Sequence, residues 1–358
     1  MIPMSIPYLY KEDKNLAINA IKNNNLAYGP EIEEFEKQFA LYCNRKYGVS
    51  CSNGTAALYL AVKALKLPKQ SEVIIPSMSI VSLLNAVEKN NLVPVFCDVD
   101  SKTWNVTYKT IAKKITDNTS AIIVVDTYGL VVNIDDINQL KKEYPHIKII
   151  EDAAEAHGAY HGSIKAGSIG DVSTFSFYAN KIITTGEGGM ILTDDEEIYK
   201  QLLSDRNINF VERKRYIHSE SGFNFRMTNI QCCIGLGQLQ NIDKTIKHRK
   251  RIAKCYNKNL KANKSIQLPF SGKGFDNVYW YYSIVVKENY DNVIKALQDN
   301  NIEYRHFFYP LHKQPFINSN DILPNSEYIA QHGLILPTYT ELKNEQIDFI
   351  SKIILEQL

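Results

Sequence analysis

Between Glu72 and Ile150, short apolar runs alternate with longer stretches that read as helices. The runs are Glu72-Val-Ile-Ile75, Val93-Pro-Val-Phe-Cys97, Ala121-Ile-Ile-Val-Val125 and Ile147-Lys-Ile-Ile150. Runs of this kind predict strands, and their alternation with helical pieces predicts βαβ units in a mostly parallel sheet covered on both faces. Phe175-Ser-Phe177 and Met190-Ile-Leu-Thr193 add two strands flanking a loop that holds Lys181. Asp152 is expected just past the carboxyl end of the strand at 147–150, where open α/β sheets bind their ligands. Upstream, Ile32, Phe35, Phe39 and Tyr42 recur at helical spacing behind Pro30, which predicts an amphipathic helix over 31–43 with proline in its first turn. The segment Ala56–Leu65 predicts a buried helix. Its start, the turn Ser52-Asn-Gly-Thr55, presents free backbone N–H groups and a hydroxyl, a good setting for an anion.

After about residue 247 the texture changes. A basic helix over 248–257, a strand Tyr279–Val286, a helix near 291–299 and a C-terminal helix near 343–357 predict a smaller α+β domain. The expected division is a large α/β domain over 1–247 and a small domain over 248–358, with residues 1 to about 25 packing on the smaller one. The charge run Glu212-Arg-Lys-Arg215 reads as a solvated loop.

Composition narrows the function classes. The 41 Lys and Arg nearly balance 39 Asp and Glu, so no global field favours nucleic acid or a membrane surface. No apolar segment approaches bilayer length, and the start Met1-Ile-Pro-Met-Ser-Ile-Pro-Tyr8 lacks the pattern of a signal peptide. Six cysteines without C-x-x-C spacing fit reduced core thiols and a cytoplasmic protein, and the eight histidines show no metal-ligand spacing.

The candidate chemistry centres on Lys181, a lone ammonium in the apolar run Ser173–Ile183 that leads into the cluster Gly186, Gly188 and Gly189. A lysine held in an apolar pocket has a lowered pKa, and as a free amine it is a nucleophile toward aldehydes and a proton shuttle. Asp152 fits a helix cap or a loop residue, and equally an anionic partner for a pyridine nitrogen. Glu155 fits a capping carboxylate or a partner for a phenolic oxygen; His157 fits a satisfied structural histidine or a residue packed on a ring. Ser176 is a small strand filler or, with Gly54 and Thr55, a phosphate contact. The three glycines serve a tight turn or a close backbone approach. Together, a Schiff-base lysine, a ring-nitrogen partner and a phosphate cradle describe a pyridoxal 5'-phosphate (PLP) site.

The motifs Ser52–Leu58, Glu151–Gly158, Gly170–Lys181, Thr185–Gly189 and Gly222–Asn229 resemble, in order and spacing, the DegT/DnrJ/EryC1/StrS family of sugar aminotransferases, over essentially the whole chain. Within it, the lysine loop and Val124–Gly129 look closest to members that aminate GDP-4-keto-6-deoxymannose. The resemblance implies a fold type I PLP enzyme, a homodimer with active sites at the subunit interface and glutamate as donor, serving surface polysaccharide synthesis. It implies that Lys181 forms the Schiff base and Asp152 pairs with the pyridine nitrogen. Gly54, Thr55 and Ser176 would hold the phosphate, Glu155 would touch the phenolic oxygen, and Asn224 would reach the partner subunit's cofactor phosphate. Arg305 and His312, in a segment that contacts substrate in relatives, become substrate candidates beside Ile80 and His157.

Two departures border the substrate pocket. Ile80 stands where many relatives stack an aromatic ring on the cofactor, a difference worth about 0.5–1.5 kcal/mol. Asn23–Pro30 lacks the tryptophan frequent in the resembling group. A small keto compound, such as a triose phosphate or a keto sugar acid, therefore stays open as the acceptor. A PLP-dependent sugar dehydratase is disfavoured because such relatives replace the lysine with histidine, and a DNA-binding regulator because no helix-turn-helix precedes the fold.

Overall fold

The computed structural model describes residues 1–210 and 216–358; the charge run Glu212–Arg215 lies outside the described residues. Seven strands form the main sheet: β1 (Tyr47–Cys51), β2 (Glu72–Pro76), β3 (Val93–Cys97), β4 (Thr119–Val125), β5 (Lys148–Asp152), β8 (Val172–Ser176) and β9 (Gly189–Thr193). Between β5 and β8 lie two short strands, β6 (Tyr160–His161) and β7 (Ile164–Lys165). The order across the main sheet is β1-β9-β8-β5-β4-β2-β3. Neighbours from β3 through β8 are parallel, and β9 runs antiparallel to both β8 and β1.

The sheet is buried on both sides, and successive residues of one strand feed opposite layers. Ile74, Ile122, Val124 and Ile149 enter one apolar cluster, whereas Val73, Ile75, Ile123, Val125 and Ile150 enter the other. Helices α1 (Lys11–Lys22), α2 (Glu31–Tyr42), α3 (Gly54–Ala64), α4 (Ser82–Glu88), α5 (Tyr108–Ala112), α6 (Ile134–Glu143), α7 (Glu196–Arg206) and α8 (Asn229–Gln240) cover it. Phe35 and Phe39 of α2 are fully buried, and α3 buries nearly its whole length from Ala56 to Ala64. Pro30 is the N-cap of α2 rather than a first-turn residue. Asn53 caps α3 by accepting the Ala56 amide at 2.8 Å.

A continuous helix, α9 (Ile242–Leu260), carries the chain to a second sheet, so the division expected at 247 falls inside a helix. The later strands are β10 (Ile266–Gln267), β11 (Phe275–Asp276), β12 (Tyr282–Val286), β13 (Arg305–His306) and β14 (Gly333–Leu336). Four of them pair as β10-β12-β14-β13, while β11 joins β6 and β7. With α9, α10 (Tyr290–Asp299), α11 (Pro324–His332) and α12 (Asn344–Leu355) complete the chain, and α9, α10 and α12 share a third apolar cluster with β12 and β14. The strand expected over 279–286 starts at Tyr282, because Tyr279 adopts a left-handed backbone (φ 52°) that a ladder cannot continue. The amino-terminal segment joins this second layer: Ile2 pairs with Ile302, and the Met4 amide donates to Glu303 at 2.8 Å. Helix α1, by contrast, packs on α8.

Candidate active site

The ends of β4, β5 and β8 and the start of α3 open on one cavity of about 960 Å³. Its walls include Gly54, Thr55, Asp152, Glu155, Ser176 and Lys181, and its mouth includes Ile80, Phe223 and Arg305. Asp152 is the last residue of β5 rather than a residue beyond it, and its strand partners are Val125 and Thr174. Side chains alternate along β5, so Glu151 and Asp152 point to opposite faces. Glu151 accepts the amides of Gly167 (2.7 Å) and Ile169 (3.0 Å), away from the cavity, and Asp152 faces the cavity.

Burial dominates the electrostatics. The Asp152 carboxyl is pushed up to about 6 by desolvation, which the Ala154 amide and the Lys181 ammonium oppose. Glu155 is pushed up to about 7 by the same cause. The Lys181 ammonium is driven below its ordinary range by burial, with Glu155 and Asp152 pulling it back up and Arg305 adding to the fall. Lys181 Nζ lies 3.8 Å from Glu155 Oε1 and 3.7 Å from the centroid of the Trp280 ring.

Two expected residues, His157 and His312, sit outside the cavity, and Asn224, expected at the partner subunit's cofactor, lies outside this subunit's cavity. His157 does not line the cavity; it is 1% exposed and packed among Phe39, Phe175 and Phe177 at 5.0–6.4 Å between ring centroids. Desolvation pushes it down to about 3, so it is a neutral core residue behind the site. His312 is buried and spans Ser77 (2.5 Å from Nδ1) and Glu327 (3.0 Å from Nε2), a strut between the residue after β2 and α11. Its surroundings satisfy both ring nitrogens, which removes it from the cavity wall. Asn224 is exposed, and its Oδ1 accepts the Arg226 amide at 3.1 Å; its neighbours Phe223 and Phe225, not Asn224, line this subunit's cavity. Residues not anticipated from the sequence also line it, chiefly Trp280, Asn180 and Phe308. The run Tyr279-Trp-Tyr-Tyr282 carried a signal, an aromatic cluster opening a strand, but nothing local tied it to Lys181.

A family model described as the DegT/DnrJ/EryC1/StrS aminotransferase family matches residues 7–355. The chain belongs to that family. It is a PLP-dependent aminotransferase. Among its relatives, the GDP-perosamine synthase of Escherichia coli O157:H7 is 35% identical over 99% of this chain and 98% of the relative. That of Caulobacter vibrioides is 38% identical over 89% of this chain and 88% of the relative. The crystal structure of the aminotransferase TlmJ from Streptoalloteichus hindustanus matches with a TM-score of 0.94 at 26% identity, covering 99% of this chain and 98% of that one. The α/β fold with a mostly parallel central sheet is thus that of the family's aminotransferases.

The cavity suits PLP in its donor set. The Gly54 and Thr55 amides open α3 ahead of the Ala56 amide that Asn53 caps, so they have no intrahelical acceptor. The Ser176 hydroxyl faces them across a gap that only glycine leaves open: a Cβ on Gly54 would lie 2.8 Å from Ser176 Cβ and 3.1 Å from its Oγ. The same cavity is lined by the Asp152 carboxylate, which would suit a ring nitrogen, and the Lys181 amine, which would suit an aldehyde.

Proposed function

We propose that the protein moves an amino group from glutamate to the keto carbon of a nucleotide-linked 4-keto-6-deoxysugar of the GDP-4-keto-6-deoxymannose type. It does so as a cytoplasmic homodimer that supplies surface polysaccharide synthesis. The observation that carries this reading is the near full-length likeness to two proteins named GDP-perosamine synthase. A cavity of about 960 Å³ supports it, being at the large end for small-molecule sites and able to take a sizeable acceptor together with PLP. The mouth supports the dimer: Phe223 is 61% exposed beside Asn224, an apolar edge that a second subunit would cover.

In this reading Lys181 carries the cofactor covalently, Asp152 faces its ring nitrogen, Glu155 its phenolic oxygen, and Gly54, Thr55 and Ser176 its phosphate. Bound, PLP supplies an aldehyde that carries the amino group and a ring that accepts the electron pair released at the donor carbon. The protein's part is protonic and positional. Asp152, ionised beside a cationic ring nitrogen, keeps that nitrogen protonated. Lys181 Nζ, whose free-amine form burial favours, would take a proton from the donor carbon and deliver one to the cofactor's aldehyde-derived carbon, and would run the same transfer in reverse on the acceptor. Arg305 at the mouth is an exposed cation suited to an anionic acceptor or donor group.

Steady-state assays with glutamate against nucleotide-linked 4-ketosugars and small keto phosphates test this reading. The highest kcat/KM should fall on the GDP-linked 4-keto-6-deoxymannose. A small keto phosphate used in preference would move the acceptor to the second class, in keeping with the aliphatic Ile80 at the mouth. Release of a dehydrated sugar without amino transfer would contradict it altogether.

A further inference from the structure

The Lys181 ammonium is held from two sides. Glu155 Oε1 stands 3.8 Å away, and the face of the Trp280 indole lies 3.7 Å from Nζ at its centroid. The indole is fixed relative to the lysine, since its Nε1 donates to the carbonyl of Asn180, the preceding residue, at 2.9 Å. Both sides trace back to one turn, Thr127–Gly129, which follows β4. The Tyr128 amide donates to Glu155 Oε2 at 2.8 Å, and the Tyr128 ring stacks on Trp280 with centroids 6.3 Å apart and planes 23° from parallel. Tyr128 does this in a left-handed backbone conformation (φ 53°, ψ 22°) that a bulky residue adopts only when its surroundings impose it. Gly129 (φ 98°) supplies the fit: a Cβ there would lie 2.9 Å from the amide nitrogens of both Tyr279 and Trp280. Its carbonyl accepts the Val278 amide at 3.2 Å.

We propose that Trp280 is a positioning residue forming the second half of a clamp on the Lys181 ammonium, and that the Thr127–Gly129 turn sets both halves. The clamp thereby governs how much of the lysine is ammonium and how much free amine. This rests on the reading of Lys181 as the proton carrier. A π-face stabilises the cation and leaves the neutral amine unfavoured, so the indole opposes the desolvation that drives the lysine toward the free amine. The other groups facing Lys181 are the Glu155 and Asp152 carboxylates, which also favour the ammonium, and Arg305, which disfavours it. His157 is buried and neutral at pH 7.

The test is competitive acylation of lysines in the full-length protein stripped of PLP, with acetic anhydride as probe and Lys181 followed by mass spectrometry across pH. Only the free amine reacts. Trp280→Leu should shift the Lys181 midpoint to lower pH and raise its rate at neutral pH by between about 2-fold and about 30-fold, the range a lost cation–π contact implies. The high-pH plateau should stay unchanged. Trp280→Phe, with a weaker ring, should fall between the two, and carries the test should Trp280→Leu fail to fold. Gly129→Ala should lower the midpoint as well, through the turn. An unmoved midpoint in Trp280→Leu or Trp280→Phe, or a rate raised equally at every pH, would overturn the clamp. Because this readout needs neither cofactor nor turnover, it stands or falls separately from the catalytic role of Lys181.

Discussion

Asp152 and Glu155 are two buried carboxyl groups in one cavity wall, and that placement has a stability consequence as well as a chemical one. A carboxyl whose folded pKa is raised favours the fold below its unfolded pKa and loses that contribution as pH rises through the folded value. For Asp152 the window runs from near 4 to about 6. Asp152→Asn, free of PLP, should therefore gain stability over the parent as pH rises through this window, by on the order of 2–3 kcal/mol above it. Denaturant melts at several pH values measure this, and a difference independent of pH would contradict it. With PLP bound, the same substitution should leave the cofactor in place yet cost about 10²–10⁴ in turnover, because an amide cannot hold the ring nitrogen protonated. Near-parental turnover would remove Asp152 from that role.

At the scale of elements, the start of α3 and the end of β8 would make the proposed anion cradle, and Gly54 sets their spacing. Gly54→Ala would drive a methyl against Ser176 and push the two apart. Cofactor titration should show affinity weakened roughly 10- to 100-fold, the loss of about one charge-assisted hydrogen bond, with little change in folding stability. Unchanged affinity would mean the phosphate sits elsewhere. The strands β2 to β5 and β9 were legible in the sequence because a sheet buried on both faces needs apolar residues at nearly every position, whereas β8, expected at 175–177 because Ser173, Thr174 and Ser176 interrupt its apolar pattern, runs over Val172–Ser176. Their ends were less so: β5 runs on through Glu151 and Asp152, since backbone pairing with Val125 and Thr174 does not depend on side-chain polarity. Helix α1 was not legible, because it docks through a buried Asp13 bonded to Gln238 of α8 rather than through an apolar stripe. Trp280 and Tyr128 escaped notice for a related reason. Their contacts with Lys181 and Glu155 join segments up to 100 residues apart, and no local pattern records them. Lys181, Asp152, Glu155, Gly54, Thr55 and Ser176 were grouped by motif order and line one pocket, whereas His157 was named for its place on the turn after Asp152 and His312 for its segment's resemblance, and both are packed away from the cavity.

For the whole molecule, the proposed homodimer would have a second subunit cover the exposed edge at Phe223 and Asn224, with Asn224 reaching the partner's site. Lys181→Ala and Asn224→Asp, each inactive alone, should recover part of the activity when mixed and allowed to exchange subunits, since one site of the hybrid then carries neither defect. Absence of recovery despite demonstrated exchange would assign Asn224 to its own subunit's cavity. The proposed chemistry turns on Lys181 being the residue that holds PLP. Borohydride reduction of the PLP-loaded protein, followed by peptide mapping, measures this most directly. The reduced cofactor should be found covalently attached to Lys181, and an adduct on any other lysine, or none at all, would contradict the account.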